Sequence, residues 1–257
     1  MNLFRVRGIL LQVHVSFFLL LAYVAQHGWM DERWPGLLWS SLTLITFFAC
    51  VVLHELGHSF TAMRFGIGVR RILLMPIGGM AEMDDIPRRP SRELLITLAG
   101  PAVNFVLAGV LWFWVRRIDD DAQLYSLDGL VYQLFWANLA MGCFNLQPVF
   151  PMDGGRILRA LLATRLPYLR ATAWAVKIGK VLAIAGACVA LFARQLHLSD
   201  DGPIWMLLAL YVFIFFVGEL EYRAVRRREI DDAHWRAMLA RSYPIPPPAE
   251  EPPVLAP

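Results

Sequence analysis

The chain has 257 residues, 58% of them apolar, with a mean hydropathy of +0.51 and a formal net charge of +3. An ordinary soluble domain is about half apolar, so the excess excludes a simple water-soluble fold and points to a bilayer. The small charge gives no footing for a nucleic-acid partner, and its basic residues, nearly all arginine, gather in a few loops and the tail.

Six apolar runs approach the length that spans a bilayer, at 9–25, 37–62, 94–115, 127–146, 172–193 and 203–219; a spanning helix needs about 20 such residues. The first follows Arg5 and Arg7 but carries no clean A-x-A cleavage site, so it reads as a retained helix rather than a signal peptide. The expected fold is an all-α integral membrane protein of about six transmembrane helices, with residues 1–219 as the membrane domain and 220–257 as a basic, then Pro-rich, cytoplasmic tail. Cys50, Cys143 and Cys188 all lie in apolar runs without CxxC spacing and read as packing residues. Cys50, one turn before His54, is the one that could approach a metal.

The second run contains VVLHELGHSF, residues 51–60, with His54, Glu55 and His58 in lipid-length apolar sequence. Ionisable groups at that depth are costly and seldom lack a partner and a task. Histidines four apart leave one helix face and can grip one ion, while the adjoining glutamate can serve a water instead. This is the H-E-x-x-H arrangement of zinc peptidases, in which the metal acidifies water and polarises the scissile carbonyl and the glutamate takes the proton. Gly57 leaves room beside the ligands. Two histidines do not complete such a site, and the third ligand must be a His, Glu, Asp or Cys elsewhere in the membrane.

After the second run, Ile72 to Ala81 is apolar yet carries Pro76 and the Gly78-Gly79 pair. It is too short to span and too broken for a helix, so a small re-entrant β element between the second and third helices is expected. Its open edge could pair with an extended substrate; a structural cap over the core is the plainer reading. Beyond the fourth run comes NLQPVFPMDGG, residues 145–155. Two prolines and a Gly-Gly pair unwind the chain there, which is tolerated at membrane depth only where protein or a wet cavity surrounds it. Asp153 offers a third carboxylate ligand, and Asn145 an amide for a substrate carbonyl or oxyanion. The plainer reading of Asp153 is a helix N-cap.

HELGH in the second apolar segment, with NLQPVFPMDGG about a hundred residues later, resembles the site-2 protease family of intramembrane zinc metalloproteases, peptidase family M50. LAGPAVN at 98–104 and the segment from Gly8 through His14 to Phe17 match it more weakly, and the resemblance covers residues 1 to about 219. It implies one Zn2+ per chain held by His54, His58 and Asp153, with Glu55 as general base. It further implies a substrate-binding group of Asn145, Asn104 (which also supports the site), Gly78 and Gly79. His14 matches without a role. Members of the family often carry a PDZ domain between core helices or a cystathionine-β-synthase-type domain after them; the loops and the tail leave room for neither, so a short form is expected.

Arginine counting puts both termini on the cytoplasmic side, as expected for a multi-pass protein of a bacterial inner membrane. The expected function is cleavage of transmembrane segments of membrane-tethered regulators or signal-peptide remnants, with a transmembrane-helix protein and the lipid bilayer as partners. A homo-oligomer or a regulatory membrane partner stays open. The alternative is a non-proteolytic membrane metal transporter or metal-binding protein, against which stands the lack of a second ligand set or a repeated half. A pseudoprotease would keep the fold, but no motif residue is missing.

Overall fold

Residues 9–13, expected to open the first membrane helix, instead form the second strand of a β-hairpin over residues 2–13. The computed structural model describes residues 1–76, 78–84, 89–118, 124–195 and 204–242. Strands β1 (Asn2–Val6) and β2 (Ile9–Val13) pair antiparallel around Arg7 and Gly8. Both turn residues have positive φ, 48° and 92°, as a two-residue hairpin loop of the twist-matching type requires. Alternation explains why this run is not helix: Ile9, Leu11 and Val13 are buried on one face, while Gln12 faces out toward Asn2 and Arg71. His14 then starts the helix, its Nδ1 accepting the amide of Ser16 at 3.2 Å. That N-cap is the role the sequence left open for His14.

Helix α1 (Val15–Arg64) is two antiparallel arms. Glu32 and Arg33 leave helical geometry, Arg33 with φ 55°. As a result the rings of Phe17 and Phe48 lie 4.8 Å apart, where an unbroken helix would hold them roughly 46 Å apart. At the tip, a Cβ on Gly28 would lie 2.3 Å from the Gly36 carbonyl oxygen, so only glycine lets the arms meet so closely.

The second arm returns the chain to the sheet. β3 (Val69–Met75) lies parallel to β2, and β4 (Gly78–Met83) pairs antiparallel with β3, giving the order β1-β2-β3-β4. The β element expected after the second run is therefore, among the described residues, half of a four-stranded sheet whose other half is N-terminal. Parallel neighbours need a long crossover, and α1 is that crossover. Ile9, Leu11, Val13, Ile72 and Leu74 pack onto Phe48, Val51 and Leu56 of α1. The opposite face carries Gln12, Arg71 and Glu82 in a polar row.

Helices α2 (Pro90–Val115), α3 (Leu127–Asn145), α4 (Asp153–Ala163), α5 (Tyr168–Gln195) and α6 (Ile204–Ser242) complete the described chain. Pro90 opens α2, where a missing amide costs nothing. Among the described residues four helices, α1, α2, α5 and α6, are long and apolar enough to cross a membrane. The fold is thus mostly helical with a sheet, rather than all-α. α6 runs unbroken through residue 219, the expected end of its span. The acidic stretch at 119–121, the loop of 196–203 and the Pro-rich end of the tail lie outside the described residues.

Candidate metal centre

The second arm of α1 brings His54 and His58 to one face, and the N-terminus of α4 brings Asp153 against them. Nε2 of His54 and Nε2 of His58 are 3.2 Å apart, and Oδ2 of Asp153 lies 3.4 Å and 3.2 Å from them. Both histidines are buried and Asp153 nearly so. The loop that delivers Asp153 is shaped by its glycines: a Cβ on Gly154 would strike the carbonyl oxygen of Gln147 at 2.1 Å, and one on Gly155 would meet Val149 at 2.7 Å. The N-cap of α4 is Met152, not Asp153, and no side chain caps the helix. The carboxylate is turned to the histidines, and the capping reading fails.

These atoms fit a bound cation. Zinc bonds of about 2.0–2.1 Å in a tetrahedron set ligand atoms about 3.3–3.4 Å apart, which matches the three separations above. The far nitrogens are already engaged: His58 Nδ1 donates to the carbonyl of Ile96 at 2.7 Å, and His54 Nδ1 faces Oδ1 of Asn104 at 2.5 Å. With protons on Nδ1, both Nε2 atoms present lone pairs to one point, together with a buried carboxylate oxygen that has no hydrogen-bond partner among the described residues. Three acceptors converging without a donor call for a cation. The helix crossing is cut to suit: a Cβ on Gly100 would lie 2.1 Å from His58 Nε2 and 2.8 Å from His54 Nε2, and one on Gly57 would strike the Ala99 carbonyl oxygen at 2.8 Å.

Glu55 stands outside the ligand group, half-buried, and lines a cavity of about 810 Å3 between α1, the tip of the β3–β4 hairpin and α3. Val51, Pro76, Gly78, Gly79, Met141 and Asn145 are among its walls. Gly79 touches the glutamate itself, since a Cβ there would lie 2.6 Å from Glu55 Cγ. Asn145 spends one amide hydrogen on the Met141 carbonyl at 3.0 Å, which leaves the second for another acceptor. Among the described residues β4 is an edge strand, with β3 on one side only.

Asn104 is not among the residues that line the cavity. It is fully buried behind His54, its oxygen given to that ring and its amide nitrogen to Oδ1 of Asn138 at 3.0 Å. Cys50 packs with Leu130 and Leu134, away from the ligand atoms. Two polar features escaped the sequence reading. Asn138 is fully buried halfway along α3, signalled only by an amide in an apolar run. Arg159 of α4 is buried against Glu93 of α2, which it reaches from Nε at 2.8 Å and from Nη2 at 2.5 Å, and against Glu221 of α6 at 2.6 Å. In the sequence these charges pass for loop and interface residues.

Comparison with known proteins agrees with the geometry. The profile of peptidase family M50 matches residues 42–119 and 114–186. A zinc metalloprotease of Methanocaldococcus jannaschii is 39% identical over 224 residues, 87% of this chain and 61% of that protein, so the chain spans about three-fifths of that relative's length. Stage IV sporulation protein FB of Bacillus subtilis is 30% identical over 239 residues, 91% of this chain and 73% of that one. The solved structure of the site-2 protease from M. jannaschii superimposes with a TM-score of 0.57 at 36% identity, covering 86% of this chain and 94% of that one. The metal in the relatives' names is the one the His54–His58–Asp153 group suits. With matching sequence over most of its length, matching fold and a matching donor set, this chain belongs to peptidase family M50, among the site-2 proteases.

Proposed function

We propose that the protein is an intramembrane zinc endopeptidase that cleaves transmembrane segments of membrane-tethered regulators or signal-peptide remnants. The observation that carries this reading is Glu55, set between a three-ligand metal group and a cavity large enough for a peptide. In this reading His54, His58 and Asp153 hold the zinc. When bound, zinc supplies Lewis acidity to a substrate carbonyl and to water. Glu55 takes the proton of the attacking water and passes it to the leaving amine. Asn145 offers its free amide hydrogen to the carbonyl oxygen as charge develops there.

The substrate must first lose its helix, because an intact helix hides its carbonyls. The free edge of β4 supplies replacement hydrogen bonds to an extended segment. Gly78 and Gly79 keep that edge bare, so the substrate backbone can come close to Glu55. Six spans follow if the two arms of α1, then α2, α3, α5 and α6 each cross the bilayer. Arginine placement supports cytoplasmic termini and a bacterial inner membrane.

The test is zinc content and cleavage of a panel of transmembrane-helix peptides by detergent-purified protein. Glu55→Gln should keep zinc and lose about 100-fold to 10,000-fold in rate; Asp153→Ala should lose both. Cleavage by Glu55→Gln at the wild-type rate would remove the general-base role. Wild-type zinc and activity in Asp153→Ala would remove the ligand assignment. Zinc flux into vesicles, indifferent to Glu55→Gln, would favour transport instead.

A further inference from the structure

His58 and His54 are oriented by different means. His58 leans directly on a backbone carbonyl, that of Ile96. His54 leans on a side-chain amide, Asn104, whose two ends have nearly the same shape and opposite polarity. Something must decide which end faces the ring.

The deciding contact is the next link in the line, Asn138 of α3. Asn138 donates Nδ2 to the carbonyl of Leu134 at 2.8 Å, accepts Nδ2 of Asn104 on its Oδ1 at 3.0 Å, and is fully buried. A backbone carbonyl can only accept, so the direction of the whole line is fixed from that end. Asn138 turns its NH2 to Leu134 and its oxygen to Asn104. Asn104 therefore turns its NH2 to Asn138 and its oxygen to His54. A ring nitrogen facing an oxygen carries the proton, and Nε2 keeps its lone pair toward His58 and Asp153. Without the far acceptor, Asn104 could rotate by half a turn and offer NH2 to Nδ1. The ring would then place its proton on Nε2, the nitrogen that faces the other two ligand atoms.

We propose that Asn138 is a positioning residue that locks the orientation of the Asn104 amide and, through it, the tautomer of His54. α3 then belongs to the metal centre although it supplies no ligand. The inference rests on the reading of His54 as a zinc ligand.

The experiment is competitive zinc titration of the full-length protein in detergent against a chromophoric chelator. Asn138→Leu should weaken zinc binding by about 10-fold to 100-fold, the usual loss when a ligand's supporting partner goes. Asn138→Asp, which in this buried site keeps a proton to donate to the Leu134 carbonyl while its other oxygen still accepts from Asn104, should bind zinc nearly as wild type does. The double variant Asn104→Asp/Asn138→Leu should regain most of the loss, because a carboxylate presents an acceptor to His54 whichever way it turns. Rescue at a different residue is an outcome that a packing role does not give. The proposal is overturned if Asn138→Leu binds zinc like wild type, if Asn138→Asp loses as much as Asn138→Leu, or if the double variant stays weak. His54→Ala separates the two readings: wild-type affinity there removes the ligand assignment itself and the proposal with it.

Discussion

The half of the molecule that carries the histidines is held by close packing, and the half that carries the aspartate adds a buried ion cluster to its packing. On the histidine side, α1 and α2 cross at Gly57 and Gly100 so closely that a Cβ at either would enter the van der Waals radius of its neighbour. The sheet packs on the same arm of α1 through Ile9, Leu11, Ile72 and Leu74. On the aspartate side, Leu158 and Leu162 of α4 pack in one cluster with Val176 and Tyr222, and one buried guanidinium ties α4 to α2 and α6, with Tyr168 also donating to Glu93 at 3.3 Å. Close packing fixes distances to tenths of an ångström, as two ring nitrogens aimed at one point require. An ion cluster instead makes one element's position conditional on several others, and the penalty for losing one member is large.

The largest test of this contrast is Arg159→Met. It leaves Glu93 buried without its cation and should cost about 3–5 kcal/mol, read as a lower thermal midpoint in detergent. Because Asp153 rides on the same helix, zinc affinity should fall with it. An unchanged midpoint would mean that apolar contacts alone hold α4. Gly100→Ala probes the other side. Its methyl must displace His58 Nε2, a ring atom with little freedom to yield, so zinc binding should weaken by on the order of 100-fold. The apo midpoint should move less than in Arg159→Met; if it collapses instead, the glycine serves the fold more than the metal. The smallest effect is expected at the far end, where the Tyr125 hydroxyl donates to Asp31 at 2.9 Å across the tip of the α1 hairpin. Tyr125→Phe should cost about 1 kcal/mol or less and leave zinc affinity untouched. A change in zinc binding there would show that the tip and the centre are coupled.

The sequence told more about the metal group than about what supports it, and the reasons are physical. His54, Glu55 and His58 announce themselves because ionisable groups are rare in apolar runs and four-residue spacing has one geometric meaning. Asp153 follows from unwound backbone at depth. The hairpin β1–β2 was hidden by its own hydrophobicity: its strand ILLQV joins the helix with no Gly or Pro between them, and only Arg7-Gly8 and the buried-exposed alternation mark the boundary. The fold-back at Glu32–Arg33 lies where the first two runs part, so the turn was legible while its tight glycine contact was not. Asn138 and the Arg159 cluster depend on partners 34 to 66 residues away in sequence, which no local pattern encodes.

The length of α6 has a mechanical meaning. From Glu221, where Arg159 grips it, the helix continues 21 residues to Ser242, roughly 31 Å at 1.5 Å per residue. A tilt of about 10° around that grip would carry the far end some ~5 Å while the anchored carboxylate stays nearly still. The exposed segment would act as a lever on that grip, which sits on α4 six residues from Asp153 and is backed by the Lys180–Glu219 pair and the packing of Tyr222. A force applied to the distal arm meets its resistance at that guanidinium, beside the element that carries the aspartate.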